Sequence, residues 1–407
     1  MTGGEATVKG LLSEARLAPP HELPGILSRH LAAVGCAEAL AYLADLQQNV
    51  LIPFVDPDEV EGQATPLAVD STLAGWVFQR MEVQVQELPG GAARVWLPIV
   101  DGAERLGVLA VRVDDRAVVA GESEPLLDEL HSVALLLAEL IVTKTLYGDT
   151  IVRLRRQADM GLAAEIQWSL LPPLTFASTN LAIAATLEPA YEVAGDTVDY
   201  AINSDRAHAA VFDAMGHGMQ AAQLAVLAVA AYRHARRRGR PLAETATAID
   251  GAVSAAFGGD AFATGVLVEL DTATGAMRWL SAGHPEPLLL REGALVKTLH
   301  VEPVLPFGLS SLAPGVGPSV GTESLEPGDR VVFYTDGAVE ARSPAGEFFG
   351  IARLTDLILR HLASGLAAPE TMRRVTRALL EHQQGQLDDD ATLLLVEWRC
   401  DEGMFTF

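Results

Sequence analysis

Phe212-Asp-Ala-Met-Gly-His-Gly218 decides how this chain reads. The run His208–Phe212 before it has strand character, and Gly216 and Gly218 then break the run, so Asp213 stands where a strand ends in a tight turn. A carboxylate held at a strand end is rigid and projects out of the sheet. The device recurs further along the chain. Val331–Tyr334 runs into Tyr334-Thr-Asp-Gly337, and Asp388-Asp-Asp-Ala-Thr392 runs into Thr392–Trp398, while Val193-Ala-Gly-Asp196 supplies a fourth acidic turn. Clustered carboxylates repel one another unless a cation lies between them, and hard divalent ions prefer oxygen ligands. The pattern points to a metal-dependent enzyme.

Outward from these turns, residues 180–398 are strand-rich. Helical spacing covers Met219–Arg238, Leu242–Phe257, Ile351–Leu362 and Pro369–His382. Ser310–Pro318, rich in Ser, Gly and Pro, reads as a loop. From Glu124 to Leu171 the pattern is one long helix with possible breaks at Gly148 and Gly161. Leu130, Val133, Leu137, Leu140, Lys144, Tyr147, Ile151, Leu154 and Ala158 form a heptad seam, with Lys144 its clear lapse. Such a seam serves a parallel homodimer or a helix packed on its own domain. In the N-terminal region Ile26–Tyr42 has mostly helical spacing and Leu73–Phe78 reads as a short helix. Val83–Val85, Val95–Val100 and Leu106–Val113 read as strands, with a hairpin at Asp101-Gly102.

Composition narrows the class. A chain of 407 residues holds two or three domains, and with 49% hydrophobic and 20% charged residues it should be globular. The formal charge of -24 argues against nucleic acid and against an anionic membrane surface. Cys36 and Cys400 are the only cysteines, too few for a disulfide framework or a thiolate metal site. Met1–Lys9 lacks the pattern of a secretory signal, and the apolar windows Ala221–Tyr232 and Val133–Val142 are shorter than a membrane span, so a cytoplasmic protein is expected.

The ordered C-terminal motifs resemble the PPM (type 2C) serine/threonine phosphatases, in particular the bacterial SpoIIE-like branch. They run from Glu165-Ile-Gln-Trp-Ser-Leu-Leu-Pro-Pro173 through the Asp196 and Asp213 turns. Next come Ser281-Ala-Gly-His-Pro285, Pro306-Phe-Gly-Leu309 and Leu325-Glu-Pro-Gly-Asp-Arg330. The series closes with Tyr334-Thr-Asp-Gly-Ala-Val-Glu340 and Asp389-Asp-Ala-Thr392. The resemblance implies a β-sandwich flanked by helices and two manganese or magnesium ions. Asp196 would be a ligand of one ion, Asp213 would bridge both, and Ala214 would offer its carbonyl to the first. Asp336 and Asp389 would ligate the second ion, with Asp390 competing for the last role. Asp199 falls on a frequent family aspartate without an assignable ligand role. His217 could bind phosphate, protonate the leaving alkoxide or cap the next helix, and His284 reads as a turn or fold residue. Ala194, Thr197, Val198 and Glu286 depart from the family pattern without removing a ligand.

The implied substrate is a phosphoserine or phosphothreonine protein, in this branch a STAS-domain anti-sigma-factor antagonist. The N-terminal region resembles a GAF domain through Trp76–Arg80, Trp96-Leu-Pro-Ile99 and Leu106-Gly-Val-Leu-Ala110. That implies a sensor open to a small-molecule ligand, with a PAS-like module or a ligand-free adaptor as alternatives. The expected α+β organisation is a GAF-like α/β sensor over 21–122, a helical coiled-coil-like linker and switch over 123–172, and a phosphatase domain over 173–400. The competing readings are a catalytically inactive scaffold on the same fold and a small-molecule phosphatase.

Overall fold

The computed structural model describes residues 3–55, 64–114, 123–192, 195–313, 315, 317–385 and 387–399. Val193 and Ala194 of the first acidic turn, and Cys400, lie outside the described residues. The chain divides into two compact units after Ala158.

The first unit is built on an antiparallel sheet of β1 (Cys36–Ala44), β2 (Val50–Phe54), β3 (Leu67–Ala68), β4 (Gln84–Glu87), β5 (Ala93–Asp101) and β6 (Glu104–Val113), in the order β3-β2-β1-β6-β5-β4. Alternation along the strands sends side chains to two different cores. Leu43, Leu97 and Leu109 pack against α1 (Gly3–Ala15), α2 (Leu23–Ala32) and α4 (Glu124–Thr145). Tyr42, Trp96 and Val108 instead meet Val77 and Phe78 of α3 (Leu73–Arg80), whose first turn is capped by the Thr72 hydroxyl accepting from the Gly75 N–H.

Two expectations change here. The helical spacing of Ile26–Tyr42 covers a helix that stops at Ala32 and a strand that starts at Cys36, with Gly35 at φ +89° between them. Cys36 is buried as expected, though on a strand, and burial pushes its thiol up to about 11. The long helix of 124–171 is three helices, α4, α5 (Asp149–Leu154) and α6 (Leu162–Leu170), separated at both glycine-bearing segments. Most of its seam faces inward, with Tyr147 and Ala158 exposed. Leu130, Val133, Leu137, Leu140 and Ile151 are buried in the core of the first unit. Lys144 is buried with them, its Nζ donating to the Ala18 carbonyl at 2.5 Å and to the Tyr147 hydroxyl at 3.1 Å. Of the two uses of such a seam, the chain adopts packing on its own domain; the surface expected to form a coiled-coil homodimer is consumed in that packing.

The second unit is a sandwich of two antiparallel sheets between helical layers. One sheet has the order β15-β12-β11-β10-β9, from β9 (Asp196–Asn203), β10 (Arg206–Ala214), β11 (Ala263–Asp271), β12 (Ala276–Ala282) and β15 (Gly321–Ser324). The other has the order β14-β13-β16-β17-β8-β7, from β7 (Thr175–Ala177), β8 (Leu181–Glu188), β13 (Leu288–Arg291), β14 (Ala294–Thr298), β16 (Arg330–Tyr334) and β17 (Ala391–Trp398). Their facing sides share a core of Val198, Val211, Val268, Phe333 and Leu394. The outer face of the first sheet is covered by α7 (Gly218–Arg237) and α8 (Leu242–Phe257), and that of the second by α10 (Gly350–Ala363) and α11 (Ala368–His382). α9 (Asp336–Glu340) stands at the sheet end, one residue after β16. This is the sandwich flanked by helices that the C-terminal motifs imply. Among the described residues no helix is long and apolar enough to cross a membrane.

Candidate metal centre

Each sheet delivers aspartates to one end of the sandwich. Asp196 opens β9 and pairs in register with Asp213 near the end of β10. On the other sheet Asp336 follows β16 after one residue, and Asp389 and Asp390 precede β17, which pairs with β16. The four turns thus meet at one rim, with Asp196 buried and Asp336 exposed.

Close backbone packing brings the turns together. A Cβ on Gly195 would stand 2.7 Å from the Ala214 carbonyl oxygen, and the Ala214 N–H donates to the Gly195 carbonyl at 3.2 Å. A Cβ on Gly337 would collide with the carbonyl of Asp390. These two glycines are needed for approach, whereas Gly216 (φ +94°) and Gly218 (φ +69°) are needed for the turn itself.

The acidic triplet separates into three roles. Asp388 faces away, accepting from Gln383 Nε2 at 3.3 Å. Asp390 Oδ2 accepts the backbone N–H groups of Gly195 at 2.8 Å and Asp196 at 3.3 Å, so it fastens the first acidic turn to the second sheet. Asp389 accepts the Asp390 N–H and lies in the field of Asp336 and Asp213. Asp196 is held by the Thr335 hydroxyl, which donates to its Oδ2 at 2.6 Å, and Thr335 Oγ1 in turn accepts the Thr392 N–H at 2.9 Å. Neither threonine stood out in the sequence, although both sit inside the acidic motifs. Their hydroxyls beside strand-end aspartates were the available signal.

The electrostatics are those of an uncompensated anionic cluster. Burial, then Asp336, Asp389 and Asp390, push the Asp213 carboxyl up to about 7. Burial, then Asp213 and Asp390, raise Asp196 well above the usual carboxylate range. Desolvation and the neighbouring acids also raise Asp389. Among the described residues Asp196, Asp213, Asp336 and Asp389 have no ion-pair partner. An all-oxygen donor set that repels itself fits a hard divalent cation. Among the described residues no three His, Cys, Asp or Glu side chains yet close around a single point, so the acids form a rim rather than a cage.

Asp199 is different in kind. It is buried on the helix side of β9, where it accepts from Arg233 Nη2 at 2.6 Å and Arg236 Nη1 at 2.7 Å. Arg233 also donates to the Leu170 carbonyl at 2.5 Å, which ties the end of α6 to the sheet. The basic run at the end of α7 therefore contributes two arginines to an internal ion pair. Gln167 of α6, fully buried, donates to the Asp196 carbonyl at 3.1 Å. His217 occupies the N-cap position of α7 but makes no side-chain cap hydrogen bond, and it is exposed beside the rim. His284 is a fold residue, as expected. Its Nδ1 lies 3.0 Å from Thr264 Oγ1, and burial pushes the imidazole down to about 3.

Residues 203–399 match the family model described as Stage II sporulation protein E (SpoIIE). Over this span the chain is similar to that family. Asp213, Asp336 and Asp389 lie within the matched span and Asp196 lies just before it. Two relatives match parts of the chain. Protein IcfG of Synechocystis sp. is 29% identical over 142 residues, which is 33% of this chain and 20% of that protein. Phosphoserine phosphatase RsbU of Bacillus subtilis is 23% identical over 244 residues, 59% of this chain and 70% of that protein. Thus the chain spans a fifth of the first relative and seven tenths of the second. A solved structure of the RsbU and RsbW domains of a Mycobacterium tuberculosis protein is 30% identical, with 55% of this chain and 63% of that one covered at a TM-score of 0.46.

Proposed function

We propose that the second unit is a metal-dependent phosphoprotein phosphatase acting on phosphoserine or phosphothreonine. The observation that carries this reading is the rim itself, where buried and half-buried acids raise one another's proton affinity with no cationic side chain between them. The residues that would hold two manganese or magnesium ions are Asp196, Asp213, Asp336, Asp389 and the Ala214 carbonyl. Once bound, such ions supply an activated water for in-line attack and offset charge on the phosphoryl oxygens. The chain's own contribution is orientation. Thr335 and Asp390 fix Asp196 and its turn, Gly195 and Gly337 allow the turns to touch, and exposed His217 would meet the phosphate or the departing alkoxide. Asp390, with both backbone N–H groups on one oxygen, is the positioning partner, which leaves Asp389 as the ligand.

The name of the relative RsbU, a phosphoserine phosphatase, supports a phosphoserine substrate. In this reading the substrate is a phosphorylated STAS-domain antagonist in a sigma-factor partner switch, and the protein is cytoplasmic. The first unit is then the sensor, and a small-molecule ligand would be its signal. Control runs through α6, because Gln167 touches the carbonyl of a proposed ligand residue and Leu170 is bonded to Arg233. Manganese-dependent hydrolysis of para-nitrophenyl phosphate, lost in Asp213→Asn, is the expected result. An inert wild type with manganese or magnesium supports the scaffold alternative, and hydrolysis of free phosphate esters but no phosphoprotein supports a small-molecule phosphatase.

A further inference from the structure

Asp196 and Asp213 belong to a row of three side chains. Asp196 pairs in register with Asp213, and Asp213 with Thr264 of β11. Register partners in an antiparallel sheet point to the same face, with Cβ atoms about 4.5–5.5 Å apart. That face lies between the two sheets, because Val198, Val211 and Val266, each two residues along its strand from a member of the row, pack in the shared core. The Thr264 side chain thus stands beside Asp213, on the side away from Asp196.

Thr264 is itself held, its Oγ1 lying 3.0 Å from His284 Nδ1. His284 is fixed in a tight strap after β12. Its N–H donates to Ser281 Oγ at 3.3 Å, and the Ser281 hydroxyl donates to the His284 carbonyl at 3.0 Å. Gly283, at φ +66°, turns the chain there and bridges to Gly265, the neighbour of Thr264. The ring is buried and neutral, so it carries a single N–H. The Tyr334 backbone lies near it, yet Nε2 makes no hydrogen bond of good geometry among the described residues. A proton on Nε2 would go unpaired in the core, whereas on Nδ1 it is donated to Thr264 Oγ1. A hydroxyl that accepts there keeps its own proton for the next acceptor, and the next residue across the register is Asp213. Thr335 already serves Asp196 in this way, at 2.6 Å. Resting on the metal-dependent phosphatase reading above, we infer that His284 and Thr264 are positioning residues for the rim. His284 holds the Thr264 oxygen, and the Thr264 hydroxyl orients the ionised Asp213 carboxylate for the cations it would bridge. Each of the two acids in the row then has its own threonine, one from each sheet.

The test titrates manganese chloride into the metal-free protein by calorimetry, with a thermal melt of each metal-free variant beside it. Thr264→Val keeps the shape of the side chain and removes the hydroxyl. It should weaken manganese binding about 10- to 100-fold, the scale for a partner that orients a ligand. Thr264→Ser should restore wild-type affinity. His284→Leu should bring the same loss, and the double variant no further one, because the two residues act in one chain. Nitrogen-15 NMR of the wild type should place the His284 proton on Nδ1. Melting temperatures that fall while manganese affinity holds would reduce the pair to fold residues and overturn the inference. Losses that add in the double variant, or a His284 proton on Nε2, overturn it too. Thr264→Val and Thr264→Ser decide the question even where His284→Leu does not fold. Hydrolysis of para-nitrophenyl phosphate is read separately. A wild type inert towards it that shows this pattern of manganese binding overturns the phosphatase reading and upholds the positioning of the cation site. A wild type that binds no manganese overturns both.

Discussion

Asp196 and Asp199 lie three residues apart on one strand, both almost fully buried, and their surroundings are opposite. Alternation along β9 turns Asp199 to the helices, where Arg233 and Arg236 neutralise it. Asp196 turns to the acidic rim, where its neighbours are Asp213 and Asp390, and the Thr335 hydroxyl donates to its carboxylate. A buried carboxylate between arginines completes a fold. One among other carboxylates calls for a cation from outside. Burial alone therefore says little about role; the sign of the surrounding charge separates the aspartate that completes the fold from the one proposed to hold a cation.

The comparison is broken most severely at the rim. Asp213→Asn is expected to reduce manganese-dependent aryl phosphate hydrolysis to background while leaving the metal-free protein folded, as read by turnover and circular dichroism together. Three residues further along β9, Asp199→Asn leaves two arginines, one of them deeply buried, without their counter-charge. It should cost about 3–5 kcal/mol in urea denaturation, with or without metal. Retained stability in that variant would show that the arginines find other partners.

Between these extremes stands Asp390→Asn, which weakens the acceptor of two backbone N–H groups. Isothermal titration should show manganese affinity lowered about 10- to 100-fold, the usual scale for a partner that orients a ligand. Gln167→Ala should have the smallest effect, up to about tenfold on turnover, with KM little changed. A Gln167→Ala protein of wild-type turnover argues against control through α6.

Proton linkage gives the same contrast in a different measurement. The Asp213 carboxyl is pushed up to about 7 and Asp196 is raised as well, so in the metal-free protein the folded state holds protons more tightly than the unfolded chain. Their stabilising contribution is present in full below about pH 3.8 and is lost as the pH rises through about 7. The metal-free protein should thus lose thermal stability over that window from these groups. Asp213→Asn should flatten the loss, and manganese should restore stability above pH 7.

Much of the second unit was legible from periodicity. Its four long helices were visible from apolar spacing, and Leu242–Phe257 has the same bounds in sequence and structure. The acidic turns were legible because glycine and aspartate punctuate strand ends. What Asp388, Asp389 and Asp390 each do was not, because adjacent residues diverge only once the backbone of Gly195 lies against them. The arginine partners of Asp199 were hidden for a related reason. A basic run at a helix end has a sufficient local explanation in the helix dipole, so nothing in the spacing directs two of its members inward. The seam of 124–158 misled because a heptad pattern is the same whether the neighbour is a second chain or the sheet of its own unit, which is where Leu130, Val133 and Leu137 pack. Cys36–Tyr42 carries a helical reading because its apolar residues also fit helical spacing, and the turn at Gly35 carries weight only once β6 pairs beside it.

The most direct measurement is manganese binding to the metal-free protein by isothermal titration, comparing wild type, Asp213→Asn and Asp199→Asn near pH 7.5. The account predicts two manganese ions per wild-type chain, loss of that binding in Asp213→Asn, and the same stoichiometry in whatever fraction of Asp199→Asn remains folded. Absence of binding in the wild type, or equal binding by wild type and Asp213→Asn, would contradict it.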